Sequence, residues 1–338
     1  MRSIFLILFS SLLIFSGCGS KNKTEAAEFF ERGNYHFKKR EYERASELFS
    51  EALEKVPDFA DAFNNRGLCF EKMGQLEKAS ADYLKAVELD DSFSQAKLNL
   101  AASFVHLGKP NKSEDLFKSL EKTYADSSQF YDYRGQYYLQ KNNPDAAISD
   151  FQRSVSLRGP QAETLTNLGY AFYQKREFDE AINSFNKALK IDEDFPYALN
   201  NLSAALAQKG EWKEALKYSE KATNENPGQL NFLNTHVLNL IENGELEKAI
   251  QYHQSTEKLS PKDPYQLRNK AVIEMKSENL LEATAILSGI EETNPEVEYL
   301  YYYLGLATQE STEACQYFKR GAALGDRRSQ KAFSTCGN

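Results

Sequence analysis

Apolar side chains along most of the chain recur every three or four residues, in paired stretches separated by a few polar residues. In one pair the first stretch carries Leu165, Leu168 and Phe172, and the second carries Ile182 and Phe185. This spacing places the apolar residues on one face of each of two consecutive amphipathic helices. Strands have no evident place in the pattern. The sequence therefore predicts an all-α chain built from helix pairs.

The helix pairs return with a period of 34 residues. Rows of that length starting at Ala26 continue to residue 297 without insertion or deletion, which makes eight complete rows. Position 20 of the row is Ala in seven of the eight rows, position 8 is mostly Gly or Ala, and position 24 is aromatic in the first five. Small residues on successive helices let two backbones approach closely, and the ring fills the space beyond them.

These columns resemble those of the tetratricopeptide repeat family, whose period is also 34 residues. The resemblance covers residues 26–297 as eight repeats. It implies antiparallel helix pairs stacked into a right-handed α-solenoid, in which the first helices line a concave groove and the second helices lie outside. The third row, with Ser113 and Leu120, and the seventh row, with His236, Val237 and His253, depart most from the pattern.

Residues 298–338 form a shorter final stretch. The segment from Glu298 to Glu310 predicts a ninth first helix, and the run that follows it, "ACQYFKRGAALGD", resembles the related Sel-like repeats. If two helices form a hairpin around Gly325 and Asp326, then Cys315 and Cys336 lie at similar distances before and after the turn. We therefore predict a disulfide between them that stabilises this capping hairpin by about 3 kcal/mol, the alternative being two separate thiols.

The first residues have a different character from the repeats. Arg2 precedes an apolar run of twelve residues, Ile4 to Phe15, which is short for a membrane span and typical of a secretory signal peptide. The sequence "FSGC" that ends at Cys18 resembles the lipobox of bacterial lipoproteins. This resemblance implies cleavage after residue 17, a lipid on Cys18 and a polar tether over residues 18–25. A cleaved signal peptide without lipidation is the alternative.

Composition excludes several classes of function. The formal charge is −8, and no segment concentrates Lys or Arg, so a nucleic-acid partner is not expected. The motifs GxxxxGK[ST], GxGxxG, HExxH and CxxC are absent from the sequence, so we predict no catalytic residues, no cofactor and no metal. Cys69 is interpreted as a small buried apolar residue. The alternative is a metal-dependent enzyme or accessory subunit that uses His236 and His253, with tyrosines as acid–base groups.

The candidate binding residues come from the first helices. Position 6 is Asn in five rows, and an amide carries both a donor and an acceptor, so a ladder of amides can hold the backbone of an extended peptide. In the tetratricopeptide family this column lines the groove. The predicted groove residues are Asn65, Asn99, Asn167, Asn201, Asn269, Tyr133, Tyr170, Tyr173, Tyr197, Tyr265 and Arg268. Bonding of the asparagines to a neighbouring repeat, and ordinary packing of the tyrosines, are the alternatives.

The sequence thus predicts a non-enzymatic scaffold that binds a protein or peptide segment and is attached to a membrane by a lipid. Resemblance to repeat-containing lipoproteins implies an outer-membrane location facing the periplasm, since Gly19 rather than Asp follows Cys18. It also implies assistance to an envelope assembly or wall-remodelling complex. Homo-oligomer formation through the second helices is a further alternative.

Overall fold

A computed structural model describes the backbone of residues 5–336 and the side chains of residues 21–336. Within this range the regular structure is entirely helical, and no strand is found. The contacts divide the chain into two compact units, Met1–Leu157 and Arg158–Asn338. In each unit consecutive helices pack against one another in pairs. The all-α fold of stacked helix pairs predicted from the sequence is confirmed.

Unit 1, as we call Met1–Leu157, contains the first eight helices, and a short 3₁₀ helix at Pro110–Lys112 precedes α6. The helices are α1 (Phe5–Lys38), α2 (Tyr42–Lys55), α3 (Ala60–Lys72), α4 (Leu76–Leu89), α5 (Ser94–His106), α6 (Glu114–Leu120), α7 (Ser128–Gln140) and α8 (Pro144–Arg158). The seven-residue α6 belongs to the third row, one of the two that depart from the pattern.

Unit 2, Arg158–Asn338, contains the remaining helices. They are α9 (Ala162–Gln174), α10 (Phe178–Ile191), α11 (Pro196–Gln208), α12 (Trp212–Glu225), α13 (Leu230–Glu242), α14 (Leu246–Leu259), α15 (Pro264–Lys276), α16 (Leu280–Thr293), α17 (Leu300–Ala307), α18 (Ser311–Ala323) and α19 (Arg327–Phe333). The first helices α9, α11, α13 and α15 contact one another in sequence, and each also packs on its own second helix.

The small and aromatic columns meet as the period predicts. A Cβ atom placed on Gly67 would lie 2.7 Å from a ring carbon of Tyr83, and one on Gly169 would lie 2.6 Å from a ring carbon of Phe185. Both rings are fully buried. The ring of position 24 therefore lies directly on the backbone at position 8, which only glycine permits at this separation.

Serine replaces a small apolar residue at two of these positions and remains hydrogen-bonded. Ser113 Oγ donates to the carbonyl of Ala101 at 2.8 Å, and Ser203 Oγ donates to the carbonyl of Ala215 at 2.7 Å. Each bond joins positions 8 and 20 of one row. The substitution thus adds a bond between the paired helices without leaving a buried hydroxyl unsatisfied.

The turn between the two helices of a repeat uses a left-handed residue at position 15. In four rows that residue is glycine, as at Gly74, where φ is 72°. In four other rows it is a larger residue with φ between 53° and 68°: Arg40, Asn142, Arg176 and Glu278. Because left-handed backbone is unfavourable for residues with a Cβ atom, packing of the two helices must impose the turn there.

The final first helix is shorter than the sequence predicts. The expected helix over Glu298 to Glu310 is wrong at both ends, because α17 spans Leu300–Ala307. Tyr299 adopts a left-handed conformation, with φ of 61°, and breaks the helix before Leu300. The segment from Val297 to Tyr299 lies in the interior of unit 2, where Val297 and Tyr299 are buried.

The C-terminal hairpin closes against earlier parts of unit 2. A disulfide joins Cys315 to Cys336, whose Cα atoms are 5.9 Å apart. The guanidinium carbon of Arg328 lies 4.0 Å from the centre of the Tyr302 ring, and Arg328 also pairs with Glu242 at 3.0 Å. Arg327 lies 5.0 Å from the ring centre of Phe178. Residues more than 80 positions apart are therefore held together within this unit.

The N-terminal predictions concern the start of α1. Residues 21–25 continue this helix, so the expected polar tether is helical here rather than extended; ion pairs of Glu25 with Lys21 and Lys55 favour that conformation. The predicted signal peptide of residues 1–17 and the predicted lipidation of Cys18 fall among side chains outside the described part. Among the residues searched, no helix is long and apolar enough to cross a membrane.

Candidate functional site

Unit 2 contains a cavity of about 500 Å³ on the face formed by its first helices. Side chains from α9, α11, α13 and α15 line it, together with Glu298 and Tyr299 just before α17. Tyr170 and Tyr265 line the cavity and are each 40% exposed, so the cavity opens to solvent. Its volume lies in the range of sites that hold small ligands or a few side chains of a peptide.

The helical repeat explains which residues reach the cavity. One face of each first helix is buried against its second helix, as Leu202 and Ala205 of α11 are. The opposite face of each first helix carries position 9 of the row and the positions next to it on the helix surface. Tyr170 and Tyr173 are three residues apart on α9, so they share this face, and their rings are nearly parallel with centres 6.3 Å apart.

The segment before α17 forms the far wall of the cavity. Tyr173 Oη donates a hydrogen bond to the carboxylate of Glu298, and Arg268 Nη1 donates to the carbonyl of the same residue at 3.2 Å. Burial raises the pKa of Tyr173 and of Tyr299 well above the usual tyrosine value. Both hydroxyls are therefore protonated at neutral pH, and Tyr173 is a fixed donor to Glu298.

Arg268 and Asp263 place one positive and one negative charge in the same wall. Arg268 is only 2% exposed, donates to Asn269 Oδ1 at 2.9 Å and lies over the Tyr265 ring. Asp263 caps α15 by accepting from the Gln266 amide at 2.9 Å, and it also accepts from Asn234 Nδ2 at 2.8 Å. Both charged groups are thus held in place by protein hydrogen bonds.

Three asparagines in the wall carry amide oxygens that lack a hydrogen-bond partner within residues 21–336: Asn200, Asn234 and Asn239. Their side chains are at least 94% buried. The hydroxyl of Tyr299 is in the same condition. A buried acceptor without a partner costs about 1–3 kcal/mol, so such groups are uncommon in cores.

Unit 1 shows how the same positions are satisfied elsewhere. Asn64 Oδ1, at position 5, accepts from Asn99 Nδ2, at position 6 of the next row, at 2.9 Å. In unit 2 the equivalent acceptor is Asn200, but position 6 of the next row is Thr235, whose hydroxyl donates to the carbonyl of Asn231. The oxygen of Asn200 therefore lacks a partner because its donor has been replaced.

Five of the predicted groove residues line the cavity: Asn201, Tyr170, Tyr173, Tyr265 and Arg268. Tyr197 and Asn167 lie on the same helices outside the lining; the Tyr197 ring packs on Phe232 with centres 5.4 Å apart. Asn269 is fully buried and donates to the carbonyl of Asn234, which is the alternative foreseen for this column.

The remaining predicted residues belong to unit 1. Asn65 Nδ2 donates to Asn34 Oδ1 at 2.9 Å, and Asn99 Nδ2 donates to Asn64 Oδ1, so both amides bond to a neighbouring repeat. Tyr133 accepts from Gln129 at 3.0 Å. The cavity does not include these three residues.

Sequence reasoning missed Asn200, Asn234, Asn239, Asp263 and Glu298 as members of the site. Asn200 and Asn234 occupy position 5, immediately before the column that was singled out, and Asn64 and Arg268 occupy it in other rows. Asparagine therefore recurs at position 5 as well as at position 6, and this recurrence could have identified Asn200 and Asn234 from the sequence. Glu298 offered none, because it reaches the cavity through the irregular segment before α17.

His236 and His253 are both buried, and each has its own partner. His236 Nδ1 lies 3.0 Å from Ser219 Oγ on α12, whereas His253 Nε2 lies 3.4 Å from Gln266 Nε2 on α15. Burial lowers the pKa of His236 to about 4 and also lowers that of His253. Across the described side chains, no group of three His, Cys, Asp or Glu residues is placed to hold a metal ion.

Comparisons with known proteins agree with this architecture. Residues 169–210 match a family model described as "TPR repeat", and residues 60–93 and 129–160 match models described as "Tetratricopeptide repeat". A search of curated proteins found no match.

Two solved structures share the fold at low sequence identity. Pseudomonas aeruginosa pilF is 18% identical with a TM-score of 0.52, and the match covers 63% of this chain and 96% of that one. A chain of the APC/C hetero-tetramer Cut9–Hcn1 is 15% identical with a TM-score of 0.59, covering 93% of this chain and 76% of that one. Three segments of the chain thus match tetratricopeptide repeats, which generally mediate protein–protein interaction, and the two structures show the same fold.

Proposed function

We propose that this protein is a lipid-anchored scaffold of the bacterial envelope that holds an extended segment of a partner protein in the cavity of unit 2. The observation that carries the proposal is the cavity itself, about 500 Å³ in volume and lined by four first helices, with the accessible amides of Asn201 and Asn231 as hydrogen-bond acceptors. A partner segment supplies backbone N–H donors at a regular spacing, which is the chemistry these acceptors need.

The aromatic residues of the wall suit the same occupant. Tyr170, Tyr173 and Tyr265 line the cavity, and Tyr170 and Tyr265 remain partly exposed. Tyrosine contributes a large contact area at a small cost in conformational entropy, which is why it is enriched in protein-binding sites. Side chains of the bound segment pack on these rings, while its backbone bonds to the asparagines.

The anchoring part of the proposal rests on the sequence. Arg2, the apolar run from Ile4 to Phe15 and the "FSGC" ending at Cys18 support cleavage and lipidation. Because Gly19 follows Cys18, we place the protein at the outer membrane, facing the periplasm. There it assists an envelope assembly or wall-remodelling complex, with the Sel-like hairpin at residues 311–336 as the cap. Association of two copies through their second helices is the alternative use of this scaffold.

Photo-crosslinking in cells tests the binding site. A photoreactive residue placed at Tyr170 or Asn231, both exposed and both in the lining, should capture a specific partner. Matched positions on second helices are Lys187 and Lys217, which are exposed on α10 and α12. Recovery of the same partners from both sets would refute binding in the cavity. Self-crosslinks from the second-helix positions alone would favour the dimer.

The anchor is tested separately with a Cys18→Ser variant. Mass spectrometry of the mature N-terminus should find an acylated Cys18, and the variant should leave the membrane fraction. A soluble mature protein with an unmodified N-terminus would exclude the anchor while leaving the binding cavity unaffected.

A further inference from the structure

The charged side chains in the wall of the unit 2 cavity indicate the chemistry of its occupant. Asn200, Asn234 and Asn239 contribute amide oxygens without a partner among the described side chains. Asp263 and Glu298 add two carboxylates to the lining. A ligand that fits this wall therefore needs hydrogen-bond donors for the two carboxylates.

The positive charge in the lining is already engaged. Arg268 is the one cationic side chain among the lining residues, and its guanidinium donates to Asn269 Oδ1 and to the carbonyl of Glu298. With Asp263 and Glu298 the lining has a formal net charge of −1, from one positive and two negative groups. An incoming carboxylate would meet this excess of negative charge, whereas an incoming cation would be attracted by it.

The tyrosine rings complete a site for a cation. Tyr170 and Tyr173 stack side by side, and Tyr265 lies in the same lining. The faces of aromatic rings attract ammonium and guanidinium groups, most strongly where solvent is partly excluded. Tyr265 already interacts in this way with Arg268 at 5.4 Å.

We infer that the cavity selects a lysine or arginine side chain of the bound segment. The inference rests on the proposed function, since it names the residue that the segment places in the cavity. The cationic group pairs with Asp263 and Glu298, while its aliphatic stem packs on the tyrosines.

A positional peptide library tests this selection on the purified protein, residues 18–338. The probes are acetylated, amidated nine-residue peptides with a fluorophore, in which the central residue is fixed and the others are mixed. Five pools carry Arg, Lys, citrulline, norleucine or Glu at the centre, and fluorescence anisotropy measures their binding. Citrulline keeps the shape and most donors of arginine without its charge. We expect the Arg and Lys pools to bind about tenfold more tightly than the citrulline and norleucine pools.

A variant with two near-isosteric substitutions tests whether the preference for a cation arises in the cavity. The double variant Asp263→Asn/Glu298→Gln retains the α15 cap and an acceptor for Tyr173 but removes both charges. It should reduce the preference for Arg over citrulline to about twofold. The control is Glu220→Gln/Glu225→Gln, which removes two charges from exposed positions of α12 and should leave the preference unchanged.

The outcomes separate the inference from the function on which it rests. Equal binding of all five pools, weakened by a bulky Ala204→Trp substitution in the lining, would overturn the selection of a cation but retain the peptide site. Tighter binding of the Glu pool would also overturn it. An Arg preference that both double variants reduce equally would indicate general attraction to an acidic protein and would contradict the assignment. Failure of every pool to bind would count against both proposals.

Discussion

Units 1 and 2 use the same repeat frame but satisfy their polar positions differently. In both units the position 24 ring lies on the glycine at position 8, as Phe151 does on Gly135 and Phe185 on Gly169. Unit 1 then joins the paired helices by partly buried ion pairs and joins neighbouring repeats by asparagine bonds. Unit 2 replaces the ion pairs with other residues, and three asparagine oxygens beside its cavity have no partner among residues 21–336.

The ion pairs occupy positions 7 and 23 of the row. Arg66 Nε and Nη2 donate to the two oxygens of Asp82 at 2.7 and 2.8 Å. Arg134 and Asp150 repeat this geometry at 2.7 and 2.9 Å. In unit 2 the same two positions carry Leu168 with Ser184, and His236 with Tyr252. The frame thus specifies where two helices meet, while the chemistry at that point differs between the units.

The largest expected effect comes from removing one ion-pair partner. Asp150→Ala removes the bidentate partner of the partly buried Arg134 guanidinium, which keeps only its bond to Glu121, and should lower the free energy of unfolding of unit 1 by about 3 kcal/mol. The equivalent change in unit 2, Ser184→Ala, should alter stability by about 0.5 kcal/mol or less. Urea denaturation of both variants measures the difference. Equal losses would show that position 23 has the same role in both units.

The residue at position 7 should make the stability of unit 2, but not that of unit 1, depend on pH. Because burial lowers the pKa of His236 to about 4 from its usual 6.5, the unfolded chain binds a proton at a higher pH than the folded protein does. Stability from this residue is therefore complete above pH 6.5 and is lost as the pH falls towards 4, by about 3 kcal/mol.

His236→Leu isolates this effect, since Ser219 Oγ keeps its bond to the carbonyl of Leu216. We expect the free energy of unfolding, measured at pH 7 and at pH 4, to fall less for the variant than for the parent protein. If the variant loses as much stability as the parent protein over this interval, the acid sensitivity arises elsewhere, for instance at His253.

Overpacking of the shared frame should affect both units alike. Gly135→Ala and Gly169→Ala each introduce a methyl group 2.6 Å from a buried ring carbon, and each should cost about 2 kcal/mol. Hydrogen exchange of α7 and of α9 reports each loss locally. A much smaller cost in unit 2 would mean that its helices move apart more readily than those of unit 1.

The smallest expected effects come from removing the asparagine bond from unit 1 and introducing its equivalent in unit 2. Asn99→Thr removes the donor to Asn64 Oδ1 and should destabilise unit 1 by about 1 kcal/mol, whereas Thr235→Asn provides a donor for Asn200 Oδ1 and should stabilise unit 2 by a similar amount. Thermal unfolding measures both. Destabilisation by Thr235→Asn would contradict the assignment of Asn200 as an acceptor without a donor.

Part of the site could be predicted, because helical periodicity identifies the face on which a residue lies. Tyr170, Tyr173 and Tyr265 were expected on the groove face of the first helices, and they line the cavity. Asn65 and Asn99 shared the same column but are used up in bonds between repeats. The position of a residue in the repeat indicates the helix face on which it lies. Whether its amide is free to bind a ligand depends on which residue of the next repeat lies beside it.

The sequence by itself determined the repeat, the helix pairs and the close contact of glycine with an aromatic ring, because these depend on residues within one period. Only the tertiary structure decided where a cavity opens. That depended on the left-handed turn at Tyr299, which carries Glu298 to Tyr173 across 125 residues, and on Thr235 in place of a donor for Asn200. Such contacts join residues of distant rows, and no local periodicity records them.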